Sequence, residues 1–357
     1  MKKSEFIFIN ELINSQIIKK YTLLSKTEYH KNNPNCLEKH MKWKYLNNPL
    51  GISYGINGYL EDNLIARVSY QKKNFIFKNK IIKGANLCDL LINKKNRKLH
   101  NFIKLTKPFF VKKDIPESNL AIMLPNEVSI NVYKKILNLK PIGSLELRFL
   151  PILNSIIQNK LKVKIPALLK SPLDNMFLSI IKFLQVINKI SFSRDEVDNK
   201  VYEKMIKNFY KDNLIQGERS KKWLNWRYNP QSTIKYFLEY IYLGNKLIGY
   251  FVYREAEKYS YKLLMIMEIV ITKKNPLIEL TILFKLIFLA NKLNCDLILT
   301  LRSTQKNNPL SNLLFPKIPN FLLPTPLEFF IISKSGLSPQ LLDLRNWKIN
   351  MADFDIF

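Results

Sequence analysis

The stretch Trp43-Lys44-Tyr45-Leu46-Asn47-Asn48-Pro49 decides the fold, because it returns 183 residues later as Trp226-Arg227-Tyr228-Asn229-Pro230. Both segments read aromatic, base, aromatic and then Asn-Pro. Self-similarity at a long fixed offset is typical of a duplicated domain, provided that the flanking sequence keeps the same register.

Two β-hairpins follow the repeated segments at the same offset. Residues 59–70 and 242–253 each read as an apolar strand, a polar turn and a second β-rich strand. Their turns, Glu61-Asp62-Asn63 and Gly244-Asn245-Lys246, carry residues that tolerate hairpin geometry. The register is therefore kept across a whole hairpin.

Two further pairs of apolar segments follow in the same order in both halves. Leu87–Ile92 corresponds to Met267–Ile271, and each is a buried-looking strand with one acid. Ala121–Leu124 corresponds to Leu297–Thr300. Each half reads hairpin, strand, helix, strand, helix, strand, which predicts a mixed α/β sheet in both halves.

The repeat also predicts the domain organisation. We expect an N-terminal domain over 1–150, a helical connector over 151–190, and a C-terminal domain over 191–357. An apolar helix is predicted over 176–190. The second half opens with an amphipathic helix within 192–212, whose buried face we expect to be Val201, Met205, Ile206 and Phe209.

Composition limits the classes of function. The 357 residues carry a formal net charge of +29, but only nine of the 57 basic residues are Arg. Such a charge alone would suggest a nucleic acid or an anionic membrane as partner. However, Lys, Asn and Ile share AT-rich codons and phosphate-clamping surfaces favour the Arg fork, so we expect a Lys-coated surface without a nucleic-acid role. It leaves peripheral contact with an anionic membrane open. Arg219 and Arg227 flank Trp223 and Trp226, which indicates either a Trp-anchored helix or a stacking surface for a base or sugar.

Cysteine and histidine usage points to a reducing compartment without a metal site. Three Cys and three His show no disulfide or zinc spacing. The basic N-terminus lacks a signal-peptide cleavage site. The apolar stretch Leu277–Leu299 contains several charges, so we expect a buried helix followed by a strand. We therefore expect a cytoplasmic protein.

The segment from Pro125 to Gly143 is the most specific element of the first half. Asn126 is suited to cap a helix, and Glu127 complements the positive helix terminus. Asn138 can end that helix, and a strand is expected from Gly143. The predicted apolar face of the helix consists of Val128, Val132, Ile136 and Leu139.

This segment resembles the final conserved block of the GNAT (Gcn5-related N-acetyltransferase) superfamily. Asn126, Ser129 and Tyr133 stand at the matching positions, whereas Asn138-Leu139 replaces the Gly-Phe of that block. The resemblance implies that Tyr133 lies near the acyl-CoA sulfur and protonates the departing thiolate. A phenol suits this role because it is protonated at neutral pH.

A second GNAT block, which holds the CoA pyrophosphate, is expected after an acid-containing strand. Asp89 and Arg97 match it, Lys94 replaces its Pro, and Lys98 and His100 replace its two glycines. Asp89 is implied as a base or as an orienter of substrate. The implied cofactor-binding residues are Leu91, Ile92, Arg97, Lys98, Leu99, His100, Asn101, Phe102 and Asn126.

The corresponding loop of the second half, residues 272–277, lacks both Arg and Gly. We therefore predict that this copy does not bind CoA conventionally and that activity resides in the first domain. The C-terminal segment 346–355 is similar to the end of tandem GNAT proteins found with bacterial surface-polysaccharide genes.

The resulting hypothesis is an N-acyltransferase that uses acetyl-CoA or another acyl-CoA. Its acceptor would be an amine, such as an amino sugar of a surface-glycan precursor. Two alternatives stay open at this stage. One is a catalytically inactive GNAT-fold binding module, and the other is a Fem-like transferase that takes its acyl group from aminoacyl-tRNA.

Overall fold

We describe the chain from a computed structural model for residues 6–110, 118–152, 167–210, 214–229, 233–258, 260–273, 275–303, 315–323, 325–333 and 338–354. The α-helices are α1 (Ser15–Glu28), α2 (Glu38–Tyr45), α3 (Leu99–Phe110), α4 (Glu127–Lys135), α5 (Ala167–Asn188), α6 (Asn199–Phe209), α7 (Lys221–Arg227) and α8 (Pro276–Lys292). The strands of the first half are β1 (Phe6–Leu12), β2 (Tyr54–Leu60), β3 (Asn63–Phe77), β4 (Lys80–Ile92), β5 (Leu120–Met123), β6 (Gly143–Ser144) and β7 (Glu146–Pro151). Those of the second half are β8 (Ile190–Ser193), β9 (Ile215–Gly217), β10 (Phe237–Leu243), β11 (Lys246–Lys258), β12 (Tyr261–Ile271), β13 (Leu297–Arg302), β14 (Glu328–Ser333) and β15 (Trp347–Lys348).

The chain forms two compact units, and neither is a continuous stretch of sequence. Unit 1 consists of residues 1–143, 215–234 and 328–346. Unit 2 consists of residues 144–214, 235–327 and 347–357. The boundaries predicted from the repeat follow the duplicated sequence, whereas each compact unit also takes a segment from the other half.

A mixed sheet organises unit 1, in the order β1-β2-β3-β4-β5-β14. Its neighbours are antiparallel except β4 and β5, which run parallel. One core cluster packs Leu105 of α3 and Ile130 of α4 with the sheet, and another joins α1 to α2 through Ile18 and Met41. Each fully buried aliphatic side chain contributes roughly 1.5–3 kcal/mol by its removal from water.

Helix α7 comes from the second half but belongs to unit 1, where the two repeated Trp motifs meet. The Trp43 and Trp226 rings stack with centroids 5.3 Å apart. Trp43 Nε1 donates to the carbonyl of Trp226 at 2.7 Å, and Trp226 Nε1 donates to that of Trp43 at 2.8 Å. Arg219 lies over the Trp223 ring, and both residues are buried. The Arg-aromatic constellation is therefore a Trp-anchored helix within the core of unit 1.

Unit 2 repeats the mixed sheet, in the order β7-β13-β12-β11-β10-β8. Its parallel pair is β12 and β13. Helix α8 packs Ile282 and Leu286 against Phe251 and Leu264 of the sheet, which confirms the buried helix and strand predicted for Leu277–Leu299. Within the described residues, no helix is long and apolar enough to cross a membrane.

The two hairpins carry the same irregularities at the same offset. Both predicted turns are present, with φ of 55° at Glu61 and 58° at Gly244. A bulge follows Gly58 in the pairing of β2 with β3, and another follows Ile241 in that of β10 with β11, again 183 residues apart. Bulges are specific backbone features, and their repetition supports the duplication read from the sequence.

One helix is rotated from its predicted face, and a second differs at one residue. In α4, Val128 and the following Ile136 are exposed, whereas Ser129, Ile130 and Tyr133 are buried. The Tyr133 ring is large, and its burial against α3 and β14 turns the helix. The predicted face was therefore wrong at Val128 and Ile136, whereas Leu139 packs against the core as predicted.

The helix expected within 192–212 begins only at Asn199, because the side chain of Asp198 caps it and Phe192 belongs to β8. Tyr202 replaces Val201 on its buried face and packs against Tyr250 at 6.1 Å. Burying a tyrosine ring removes more apolar surface than burying a valine, so the helix turns its Tyr inward.

The reciprocal tryptophan contact gives a stability prediction. Trp43→Phe and Trp226→Phe each remove one indole hydrogen bond and part of the stacked surface, so each should lower the free energy of unfolding by about 1–3 kcal/mol. The double variant should lose about 1 kcal/mol less unfolding free energy than the sum of the two single losses, because either change already disrupts the pair. Urea unfolding followed by circular dichroism measures this. Trp43→Phe combined with Phe192→Leu in unit 2 is the additive control, and additive effects for the Trp pair would contradict the prediction.

Candidate functional site

The two parallel strands of unit 1 pair over only three residues and then diverge. Gly84–Asn86 of β4 pairs with Leu120–Ile122 of β5. Beyond Asn86, β4 continues as Leu87–Ile92 without β5 as its neighbour. A gap between parallel strands exposes the backbone N–H and C=O groups of one edge, and an extended ligand can pair with such an edge.

A β-bulge at Asp89 marks the divergence. Cys88 pairs with Ser69, and Leu91 pairs with Arg67, so Asp89 and Leu90 together face Val68. Asp89 has a φ of 52°, a left-handed conformation that Asp tolerates better than most residues. Such a bulge redirects a side chain, and non-Gly residues at positive φ cluster at functional sites.

The redirected Asp89 carboxylate is buried between partners from α2. Lys44 Nζ lies 3.1 Å from both of its oxygens, and the Tyr45 hydroxyl donates to Oδ2. Burial alone would raise the pKa of Asp89, but Lys44 and Arg67 outweigh it and hold the pKa below its ordinary value of 3.8. Asp89 is thus a stable carboxylate, better suited to orient a neighbouring group than to accept a proton.

Arg67 supplies a second buried cation. It is fully buried, donates from Nη2 to Ser25 Oγ at 3.0 Å, and lies 4.5 Å above the ring of Tyr21. Within the described residues, its Nε and Nη1 donate no hydrogen bond. Lys44 and Arg67 therefore share one acid, Asp89, below the diverging strands.

The expected cofactor loop follows β4 as a short 3₁₀ turn, Lys94–Asn96, and leads through Arg97 into α3. Its backbone N–H groups are largely bonded within the protein. The amide of Lys95 donates to the Asn93 side chain, and that of Asn96 donates to the Asn93 carbonyl. Lys98 stands where the GNAT block has a glycine, and its amide donates a hydrogen bond to the Asn96 carbonyl.

A carboxylate from α1 occupies the same loop. Glu28 accepts the amide of Lys94 on Oε1 at 3.0 Å and the guanidinium of Arg97 on Oε2. Arg97 also donates from Nε to the carbonyl of Ile92 at 2.9 Å. The Glu28 side chain is 6% exposed and that of Arg97 is 52% exposed. An internal acid thus holds the two donors that a phosphate would use.

The other predicted cofactor residues divide into buried and exposed groups. Leu91 and Ile92 are buried at the end of β4, and Asn101 is buried where its side chain donates to the Asn96 carbonyl at 2.9 Å. The exposed residues are Lys98, Leu99 and His100 at the start of α3.

The Asn126–Tyr133 segment adopts the predicted cap. Asn126 Oδ1 accepts from the Ser129 amide at 2.9 Å and from its hydroxyl at 2.8 Å. The Tyr133 ring packs against Phe102 of α3 at 5.4 Å and against Phe330 of β14 at 6.4 Å. Burial raises the pKa of the Tyr133 phenol, so it stays protonated at neutral pH.

Sequence reasoning missed three residues of this site: Glu28, Lys44 and Arg67. Lys44 lies within the repeated Trp motif, and Arg67 is an arginine in an otherwise apolar hairpin strand. A base among buried-looking residues is a usable signal, because such charges are seldom buried without a partner. Glu28 gave no signal, since its contact with Arg97 spans 69 residues.

The second copy repeats the strand divergence. Leu263–Ile266 of β12 pairs with Leu297–Thr300 of β13, and β12 then continues to Ile271. Glu268, the acid of this strand, is buried and accepts from the Tyr250 hydroxyl at 3.1 Å. Within the described residues, no group of three or more His, Cys, Asp or Glu side chains is placed to hold a metal ion.

Comparison with known proteins identifies the fold. No protein-family profile matches the chain, and no curated protein matches its sequence. Solved structures do match. A GCN5-related N-acetyltransferase from Anabaena variabilis shares 11% identity over 91% of this chain and 72% of its own, with a TM-score of 0.59.

Two further solved structures have a similar fold. A probable N-acyltransferase from Enterococcus faecalis has a TM-score of 0.55 at 12% identity, over 92% of this chain and 71% of its own. N-myristoyltransferase from Saccharomyces cerevisiae, solved with bound myristoyl-CoA, has a TM-score of 0.54 at 13% identity, over 96% of this chain and 84% of its own. The chain therefore has a mixed α/β fold with two GNAT-like units, as the sequence predicted.

The buried ion pair gives a second prediction. Asp89→Asn leaves Lys44 buried beside a neutral amide, which should cost about 3–5 kcal/mol of unfolding free energy at pH 7. The pKa of Asp89 is lower in the folded state, so its contribution is present above 3.8 and is lost as the pH falls through the folded value. The difference between wild type and variant should therefore be constant from pH 5 to pH 7 and shrink in stronger acid.

Urea titrations across the acid range measure that difference. Asp343→Asn, at an exposed surface pair with Arg345, is the matched control and should change stability little. A wild type and an Asp89→Asn variant that are equally stable at pH 7 would contradict the prediction.

Proposed function

We propose that the protein is an N-acyltransferase that moves an acyl group from acyl-CoA to an amine, with its active site in unit 1. The divergence of β4 from β5 at the Asp89 bulge carries this proposal. It leaves the edge of Leu87–Ile92 available to an extended ligand, and β4 leads directly into the loop of Arg97. The N-acetyltransferase and myristoyl-CoA-bound structures of the same fold support the reaction class.

The charge around the loop supports an anionic cosubstrate. Lys94, Lys95 and Lys98 surround Arg97 with exposed side chains, and the positive N-terminus of α3 follows directly. These bases would take the place of the close backbone contacts that glycines allow. The CoA pyrophosphate would then displace Glu28 from Arg97 and from the Lys94 amide.

The transfer step follows from the chemistry of a thioester. The amine attacks the carbonyl carbon, a C–N bond forms, and the C–S bond breaks. Tyr133 would donate its phenolic proton to the departing thiolate, and the proton lost by the amine would restore the phenol. The lowered pKa of Asp89 favours a role in orienting the acceptor. An amino sugar of a surface-glycan precursor is the acceptor we propose, in a cytoplasmic reaction.

One observation favours a second candidate function. Glu28 already occupies the donors of Lys94 and Arg97, as in a loop that no longer binds phosphate. In that case the unit would be a catalytically inactive binding module. Isothermal titration with acetyl-CoA separates the two, because no binding at millimolar ligand would support the module and contradict the transferase.

Glu28 itself provides a sharper test. Glu28→Gln removes the competing charge and releases Arg97, so acetyl-CoA should bind about three- to tenfold more tightly, a gain of ~1 kcal/mol. Arg97→Met should weaken binding by a similar factor. Glu38→Gln, which makes the same charge change at an exposed i,i+4 pair, is the matched control. Identical affinities for wild type, Glu28→Gln and Arg97→Met would show that this loop does not bind the cosubstrate.

The proton-donor role of Tyr133 gives a further prediction. Tyr133→Phe keeps the ring against Phe102 but removes the acidic proton, so kcat should fall by about 100-fold while acetyl-CoA affinity stays nearly unchanged. Steady-state release of free thiol measures kcat, and titration calorimetry measures affinity. Tyr202→Phe, at a buried tyrosine of unit 2, is the control. An unchanged kcat would remove Tyr133 from the mechanism.

A further inference from the structure

Unit 2 contains a cavity that the acyl-transfer proposal does not use. The cavity measures about 30 Å³ and lies where β12 and β13 diverge after the pair Ile266–Thr300. Its charged lining consists of Arg148, Glu268, Arg302 and Lys348. Arg148 arrives on β7, the strand from the first half that pairs with β13. The cavity therefore exists only because that strand joins unit 2.

Two arginines of this cavity, the partly buried Arg148 and the buried Arg302, share a single acid. Arg148 donates from Nε to Glu146 Oε2 at 2.8 Å, and its Nη2 lies 2.7 Å from the same oxygen. Arg302 Nε lies 3.7 Å from that oxygen, beyond hydrogen-bond distance. The Arg302 side chain is only 8% exposed, and within the described residues its Nε donates no hydrogen bond.

Arg302 therefore shares Glu146 with an arginine that lies closer to it. Burial and the nearby Arg148 lower the pKa of Arg302, and Glu146 offsets only part of that shift. An arginine does not relieve this by losing its proton, because its ordinary pKa lies above 12. A buried cation is stabilised only by a paired anion and good hydrogen bonds.

The remaining polar lining adds a third cation and a second acid. Lys348 Nζ lies 3.9 Å from the centroid of the Phe209 ring, and Glu268 accepts from Tyr250. The charged groups at or behind the wall are Glu146, Arg148, Glu268, Arg302, Lys348 and Asp353, whose carboxylate accepts from the Asn350 amide. The Thr300 residue also lines the cavity and carries a hydroxyl that can bond an oxygen atom.

We propose that this cavity binds a small oxyanion group, a carboxylate or a phosphate, through the guanidinium of Arg302. The volume is roughly that of two or three ligand atoms, which matches the oxygen atoms that such a group would direct toward Arg302. A guanidinium pairs with planar or tetrahedral oxyanions through parallel N–H bonds. The site goes beyond the proposed acyl transfer, because it lies in the other unit and requires no CoA.

Binding of simple probes to the full-length protein tests the proposal. Inorganic phosphate and acetate are titrated separately at constant ionic strength against a chloride background, and thermal stability is recorded. Saturable stabilisation by either probe is expected, and the probe that binds identifies the oxyanion. Arg302→Met should weaken that binding at least tenfold, as expected for loss of a charge-assisted hydrogen bond. Arg345→Met, at an 86% exposed side chain, is the matched control and should bind as wild type does.

Chemical modification of the wild type keeps the test independent of how the variant folds. Phosphate or acetate should slow the reaction of phenylglyoxal with Arg302 and leave Arg345 unaffected, as read by peptide mass spectrometry. The proposal is overturned if neither probe gives saturable stabilisation. It is also overturned if Arg302 and Arg345 are protected equally or if Arg302→Met binds like wild type. None of these measurements uses acyl-CoA, so failure here is distinguishable from failure of the transferase proposal.

Discussion

One short helix, α2, fixes both the strand divergence and the packing of the second repeat in unit 1. Its Lys44 and Tyr45 hold the Asp89 carboxylate at the bulge of β4. The preceding residue, Trp43, stacks on Trp226 and exchanges hydrogen bonds with it. A carboxylate buried at positive φ persists only when its surroundings hold it, so the candidate site depends on this helix.

The same arrangement recurs in both units: two cations share one acid. In unit 1 Lys44 and Arg67 share Asp89, and in unit 2 Arg148 and Arg302 share Glu146. The two units differ in the surroundings of the second cation. Arg67 is fully buried against Tyr21, so its charge acts on the Asp89 carboxylate through space. Arg302 lines a cavity.

The loop after β4, proposed to bind the cosubstrate, departs from the GNAT pattern in a way that the structure explains. Side chains at Lys98 and His100 remove the close backbone approach that glycines give, and the loop amides turn to protein acceptors. Glu28 and Arg97 form an ion pair in which Arg97 is half exposed. The loop therefore combines lost backbone contacts with a dense group of basic side chains.

Local features of this protein were determined by the sequence alone. Both hairpin turns and the Asn126 cap are set by hydrogen bonds and steric preferences within a few residues. Such rules can be read from neighbouring positions, and the structure bears them out. The predicted face of α4 failed at Val128 and that of α6 at Val201, because burial of the Tyr133 and Tyr202 rings outweighed the aliphatic periodicity.

Only the tertiary structure decided which distant segments meet. Strands β7 and β14 each join the sheet of the other half, and α7 packs beside α2 in unit 1. The pairing of β7 with β13 brings Glu146 to Arg302, and packing within unit 1 brings Glu28 to Arg97, contacts that no spacing along the chain encodes. Strand pairing depends on side-chain packing and burial across the whole fold, so it cannot be read from neighbouring positions of the sequence.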